Sequence, residues 1–332
     1  MSAVTQGGRT LAMGEDESTQ GARRHVDAPF GHALARLAAD NAAIVGLTAD
    51  LGKYTDIHPF RDAFPQRFFN VGMAEQNLVA VAAGLARTGK TVFATTYGVF
   101  ASRRAYDFVA IACAHSNLDV KIVAGLPGLT TGYGGTHQAI EDLALMRMIP
   151  NLVVIDPCDA VELQAATEAI AAYKGSVYMR LPRGQVPVVL PEGYRFEIGK
   201  AQHLRQGRTV GIVSTGMMTE RALDAAAALG ESGVSVGVLH VPTIKPFDAR
   251  AVVAFAAGVE HLVTAENHVV SGGLGSLVAE TLFNAGVARP LTRIGLPDRF
   301  IECGSVPTLQ ARYGLSLEAM IRTVGSLAKG AS

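Results

Sequence analysis

Short apolar, β-branched runs alternate along this chain with stretches whose hydrophobic residues recur every three or four positions. The runs Ile44–Thr48, Thr91–Thr95, Val120–Gly125, Leu152–Ile155 and Val177–Leu181 read as strands. Between them Pro29–Asp40, Ala74–Arg87, Ala101–Ala114 and Ala160–Tyr173 read as helices, the first with Asp27 as N-cap and Pro29 in its first turn. Strands that are apolar throughout and separated by helices predict a mostly parallel sheet covered on both faces.

The alternation breaks at 182–207, where LPRGQVPVVLPEGYRF and GKAQHLRQG concentrate Pro and Gly. It then resumes with strands at Val210–Val213, Val234–Leu239, His261–Thr264 and Leu291–Ile294, each followed by a helical pattern. The expected architecture is α/β, with two mostly parallel-sheet domains at 27–190 and 191–332. A loose polar tail is expected at 1–26.

Composition narrows the classes. The 332 residues are 49% hydrophobic and 17% charged, which suits covered sheets and extensive subunit contacts. Lys plus Arg equals Asp plus Glu, 29 each, so nothing electrostatic points to nucleic acid or to an anionic membrane. No apolar run is long enough to span a bilayer, and the polar N-terminal segment lacks the apolar stretch of a signal peptide. Cys113, Cys158 and Cys303 are far apart and form neither a zinc spacing nor a disulfide framework, which makes a cytoplasmic setting the expectation.

Two glycine motifs invite a phosphate-binding reading. Gly84 to Thr91 spells GxxxxGKT, but here a helix runs into a strand, the reverse of a phosphate loop, so Gly89 reads as a helix-ending glycine. Ser271-Gly-Gly-Leu-Gly-Ser opens a helix after a strand without the full dinucleotide spacing, and reads as a turn that packs helix against sheet.

Three other segments carry chemistry. Phe68-Phe-Asn-Val-Gly-Met-Ala-Glu75-Gln-Asn passes from strand to helix and puts Glu75 in the first turn of an apolar helix. Tyr97, Phe100 and Arg103 follow at a spacing of three, flat groups able to stack on a heterocycle. Gly132-Tyr133-Gly-Gly-Thr-His137-Gln ends a glycine-rich loop and presents an imidazole. All three fall at the C-terminal ends of strands, where open α/β sheets bind ligands.

With FPQRFFNVGMAEQN, TTYGVFASRRAYD, GGTHQ, MIPNLVVIDPCDAVE and GVEHLVTAENHVVSGGLGS, these segments resemble transketolase and its relative deoxyxylulose-5-phosphate synthase. The resemblance covers nearly the whole chain after the tail. It implies a pyrimidine-binding domain followed by a transketolase C-terminal domain. Glu75 would bind N1′ of the aminopyrimidine of thiamine diphosphate, and Asp50, Leu51, Tyr97, Phe100 and Arg103 would complete the cofactor side. His137 would be the substrate-side histidine and Arg183 the anchor for a terminal phosphate, with Arg180 as rival.

Two departures bear on the substrate. Tyr133 stands where relatives commonly carry an acidic residue, and near Tyr54 they often carry a serine that helps hold phosphate. Branched, deoxy or sulfonated sugars are therefore open beside pentose phosphates.

The GDG motif of the diphosphate-binding, Mg²⁺-binding half is absent from the sequence. The expectation is a transketolase subunit that moves a two-carbon ketol unit from a ketose to an aldose. It would work with a separate N-terminal subunit that holds the metal, in an α2β2 assembly, and no metal ligand is expected on this chain. The alternatives are a β subunit of a 2-oxo acid dehydrogenase and a deoxyxylulose-5-phosphate synthase-like enzyme.

Overall fold

The computed structural model describes residues 23–330. In chain order its strands are β1 (His25–Asp27), β2 (Ile44–Thr48), β3 (Phe68–Asn70), β4 (Thr91–Tyr97), β5 (Val120–Gly125), β6 (Val153–Ile155), β7 (Val177–Leu181), β8 (Gln185–Pro187), β9 (Gln202–Arg205), β10 (Val210–Ser214), β11 (Val236–His240), β12 (Thr243–Lys245), β13 (His261–Val269) and β14 (Leu291–Leu296). They form two main sheets. The first runs β12-β6-β7-β5-β4-β2-β3 and the second β14-β13-β10-β11-β9. Only the edge strands β12 and β9 are antiparallel to their neighbours. The expected α/β architecture stands.

Strands β2, β4, β5 and β7 are buried along their whole length, because helices cover both faces. The helix Glu75–Arg87 lays Leu78, Val79, Ala82 and Ala83 on one face and Pro29–Asp40 lays Phe30, Leu34 and Ala38 on the other. Burying a side chain of Leu or Phe size is worth about 1.5–3 kcal/mol. This ordered core is what holds the strand ends, and hence the site loops, in place.

Several local details differ from the sequence expectation. The helix that begins at Pro29 is capped by Ala28, in a left-handed conformation, with no side-chain cap. Asp27 belongs instead to β1, which pairs with β8, and its carboxylate accepts a bond from Gln185. Residues 23–26, assigned to the tail, are tied in. Arg23 pairs with Glu220 and Asp224 on the helix Met218–Glu231 of the second half of the chain. The rest of the tail lies outside the described residues. Gly89, with φ of 85°, follows the end of its helix as expected.

Strand β12 was not foreseen. It leaves the second half of the chain and adds to the edge of the first sheet beside β6. A buried ionic cluster strengthens the same seam. Arg180 on β7 reaches Asp142 at 2.5 and 3.0 Å, Asp156 at 3.3 Å, and the Asn267 carbonyl of β13 at 3.3 Å. Burial works against ionising Asp142, but the Arg180 charge outweighs it and holds the carboxyl below its ordinary range.

The SGGLG turn explains itself here. The amides of Leu274 and Gly275 donate to the carboxyl oxygens of Glu266 at 2.7 and 2.8 Å, so the chain supplies its own acceptor to that helix start. A Cβ on Gly273 would stand 2.0 Å from a Glu266 oxygen, so glycine there is a packing requirement.

Candidate active site

Strands β7, β5, β4, β2 and β3 are consecutive neighbours in the first sheet, and each sends its C-terminal end to the same edge. Arg183 follows β7, the His137 loop follows β5, and Tyr97 and Phe100 end β4 and start the next helix. Asp50 and Leu51 follow β2, and Glu75 follows β3. Residues up to about 130 positions apart thus meet because the sheet order brings their strands together.

Glu75 is the first residue of its helix and only 3% exposed. The helix dipole favours a carboxylate there. Gly72, with φ of 76°, makes the turn that leads into it. Asn70, at the end of β3, ties this turn to the Asp50 loop. Its amide oxygen accepts from the Asp50 and Gly72 backbone N–H groups at 2.9 and 3.0 Å, and its amide nitrogen donates to the Asp50 carboxylate at 2.9 Å. Asp50 itself is held at a φ of 60°. Asn70 was not singled out in the sequence, although it sits in the quoted FFNVG segment.

Three aromatic side chains and one imidazole converge here. The rings of Tyr97 and Phe100 are 5.8 Å apart. The imidazole of His137 stands edge-on to Phe100 at 5.5 Å, to Tyr97 at 6.4 Å and to Tyr133 at 5.5 Å. Thr136 occupies Nδ1 of His137 at 2.9 Å, which leaves Nε2 for a ligand. Leu51 packs on the same cluster. Burial pushes the Tyr97 phenol up, opposed by the nearby Arg183 charge. Arg183 lies 5.9 Å from the ring of Tyr54, which, like Tyr133, is partly exposed at the mouth.

One assignment is corrected. Arg103 does not line the ring with Tyr97 and Phe100. It pairs with both Glu141 oxygens through its Nε and Nη2 and donates from Nη1 to the carbonyl of Gly135 at 2.7 Å. Its neighbour Arg104 takes the expected place, with its guanidinium 4.0 Å from the Phe100 ring and bonded to both Glu75 oxygens at 3.2 and 3.3 Å. The cause is local. Residues Phe100–Arg104 form a π-helical turn, closed by the Ala105 amide on the Phe100 carbonyl. Its wider turn brings position i+4, not i+3, over residue i, and such turns recur at functional sites. Arg180 is likewise withdrawn as a phosphate ligand, since its guanidinium is consumed in the buried cluster with Asp142 and Asp156.

Among the described residues, one group has metal-ligand chemistry. Cys158, Glu162 and His240 are buried together between the two halves of the chain. Their donors are already engaged. Glu162 accepts from the Cys158 amide at 2.8 Å, from Tyr194 at 2.5 Å and from His240 Nε2 at 2.8 Å, while His240 Nδ1 meets Thr219 at 2.7 Å. The cluster is a hydrogen-bonded joint, satisfied without an ion.

A two-sheet α/β fold with a carboxylate, an aromatic wall and an imidazole along one strand edge defines a class, and the comparisons agree. The pyrimidine-binding domain of transketolase matches residues 25–189 and the transketolase C-terminal domain matches 199–320. An uncharacterized transketolase family protein of Sinorhizobium fredii is 57% identical over 90% of this chain and 87% of its own. A 6-deoxy-6-sulfo-D-fructose transketolase subunit of a Clostridium species is 41% identical over 87% of this chain and 90% of its own. A solved split-gene transketolase, described as an inactive β4 tetramer, superposes with a TM-score of 0.84 at 41% identity, over 92% of this chain and 99% of that one. This chain belongs to the transketolase family. It corresponds to the pyrimidine-binding and C-terminal half of the split enzymes, and is a transferase subunit.

Transketolases generally use thiamine diphosphate with a divalent metal. No described helix is long and apolar enough to cross a membrane.

Proposed function

We propose that the chain supplies the aminopyrimidine half of a thiamine diphosphate site. In this reading the diphosphate and Mg²⁺ are held by a separate N-terminal subunit, in an α2β2 complex that transfers two-carbon ketol units between sugars. The carrying observation is the planar, cationic Arg104 guanidinium stacked on Phe100 while donating to Glu75. A cleft that accepts one flat hydrogen-bond donor between an aromatic face and a carboxylate has the walls an aminopyrimidine needs. The relative described as an inactive β4 tetramer fits a subunit that is silent without its partner.

When bound, thiamine diphosphate supplies a stabilised carbanion centre. The protein's own groups orient and move protons around it. Glu75 takes and gives the proton at N1′ from its enclosed position at the helix start. Phe100 and Tyr97 fix the ring plane, and the Asp50–Leu51 loop, braced by Asn70, borders it. His137 Nε2 hydrogen-bonds and relays a proton at a sugar hydroxyl. Arg183 holds the anionic end of the sugar. A guanidinium accepts a phosphate or a sulfonate through the same paired N–H geometry. The relative named for a sulfonated fructose supports keeping sulfonates among the candidates, as do Tyr133 and Tyr54 at the mouth.

Co-expression with a diphosphate-binding transketolase subunit tests the proposal. Ketol transfer from xylulose 5-phosphate or 6-deoxy-6-sulfofructose is expected only with both chains, thiamine diphosphate and Mg²⁺ present. In that complex Glu75→Gln should lower kcat by about 10²–10⁴-fold while the cofactor still binds. Full turnover by this chain alone, or by the Gln variant, would overturn the reading.

A further inference from the structure

The loop that carries His137 is built largely on the C-terminal half of the chain. At its start, the Leu129 amide donates to Asn267 Oδ1 at 2.8 Å, and its carbonyl accepts from Gln310 at 2.9 Å. Further on, the Gly304 amide donates to the Gly132 carbonyl at 3.1 Å. Gly134, with φ of 78°, lies so close to Cys303 that a Cβ there would stand 2.8 Å from its sulfur. A Cβ on Gly135 would stand 3.0 Å from the Phe300 ring. The glycines of GYGGTHQ are therefore explained by what the C-terminal half presses against them, not only by freedom of the loop.

Phe300 is the least expected member of this set. Its side chain is 75% exposed, an unfavourable place for a phenyl ring that packs no core. Yet one part of it abuts Gly135, and the Arg103 guanidinium sits 5.6 Å from its centroid. Arg103 in turn donates to the Gly135 carbonyl at 2.7 Å and is anchored by Glu141. Phe300 and Arg103 thus grip one peptide, two residues before His137. Among the described residues the imidazole hydrogen-bonds to the neighbouring Thr136 alone, on the surface of the same loop, and otherwise meets the rings of Tyr97, Phe100 and Tyr133 edge-on.

We propose that Phe300 is a positioning residue for the sugar-binding side of the site. It closes the Gly134–Gly135 turn from the C-terminal half and, through Arg103, sets where His137 Nε2 stands. The C-terminal half then contributes to sugar recognition without touching the cofactor. This rests on the functional reading above for the identity of the ligand, but the mechanical part does not. A ring removed at Phe300 leaves the Gly135 peptide held on one side only, and the loop gains freedom. Because the ring is exposed, its truncation has little effect on the core.

The test uses the chain assembled with its diphosphate-binding subunit, as wild type, Phe300→Ala and Phe300→Leu. Hydrogen–deuterium exchange of peptides spanning 132–138 should accelerate in the Ala variant and return most of the way in the Leu variant. The KM for the ketose should rise about tenfold in the Ala variant, with kcat falling less than KM rises and cofactor affinity unchanged, the pattern of lost ligand positioning. Unchanged exchange at 132–138 would overturn the proposal. So would faster exchange with an unchanged KM, or a KM rise matched by an equal loss of cofactor affinity. If the wild-type complex transfers no ketol unit from any sugar offered, the functional reading has failed, and the exchange experiment alone decides whether Phe300 holds the loop.

Discussion

Arg104 donates to both carboxylate oxygens of Glu75, at 3.2 and 3.3 Å, while its guanidinium lies on the face of Phe100. One side chain thereby joins the acid–base group of the proposed site to its aromatic wall. An aminopyrimidine bound between Glu75 and Phe100 has to displace this guanidinium. Arg104→Gln should therefore tighten thiamine diphosphate binding by the assembled enzyme about tenfold, the worth of a charged hydrogen bond that the cofactor no longer has to break. Arg104→Lys keeps the charge but loses the planar fork, so its affinity should fall between the two. Weaker cofactor binding in the Gln variant, measured by titration calorimetry, would show that Arg104 holds the cofactor rather than standing in its place.

Arg183 stands beside Tyr54 at the mouth, with its charge felt at Tyr97. Arg183→Ala should raise KM for a phosphorylated or sulfonated ketose by about 10–100-fold, the worth of charged hydrogen bonds, and leave an uncharged ketose unaffected. Steady-state kinetics with such a pair of donors checks this. Equal losses for both would place Arg183 outside anion binding.

The Arg180 cluster is a stability element, not part of the site. Asp142→Asn removes the main counter-charge from a guanidinium that is 1% exposed, and breaking one member of a buried pair costs on the order of 3 kcal/mol or more. Urea unfolding should show that loss. A variant within about 0.5 kcal/mol of wild type, the range of ordinary surface changes, would mean that the cluster relaxes freely.

His268 gives the fold an acid-sensitive seam. Its Nδ1 donates to the Val269 carbonyl at 2.6 Å, and its Nε2 accepts from the Ala144 amide at 3.3 Å, so only the neutral ring satisfies both. Burial, with the Arg180 charge adding to it, holds this histidine down to about 4. In the unfolded chain it takes its proton near 6.5. The folded value lies below the unfolded one. Its contribution is therefore complete above pH 6.5 and lost as the pH falls toward 4, on the order of 3 kcal/mol in all. Glu266, 3.8 Å away, is pushed the other way by burial, up to about 7, so its share declines as the pH rises through that value. Comparing wild type with His268→Gln isolates the histidine. The stability difference between them should shrink between pH 7 and pH 4.5, and a constant difference would contradict the assignment.

Much of this could be read from the residues alone. Apolar runs separated by amphipathic stretches determined the α/β class and most strand positions, because alternation and helical period are local properties of a chain. Glu75, Tyr97, Phe100 and His137 could be picked out as candidates because the resemblance lies in short segments whose order is preserved. What needed the tertiary structure was every choice between near neighbours and every contact across the chain. Arg104 rather than Arg103 meets Glu75 because one wide helical turn shifts the register, which no composition signals. Arg180 rather than Arg183 is sealed among carboxylates because Asp142 and Asp156 arrive from elsewhere. Strand β12 and the Phe300 grip on the His137 loop both arise where the two halves of the chain meet. Long-range packing decides these, since the energy that selects them belongs to pairs of residues distant in sequence and is invisible to any window along it.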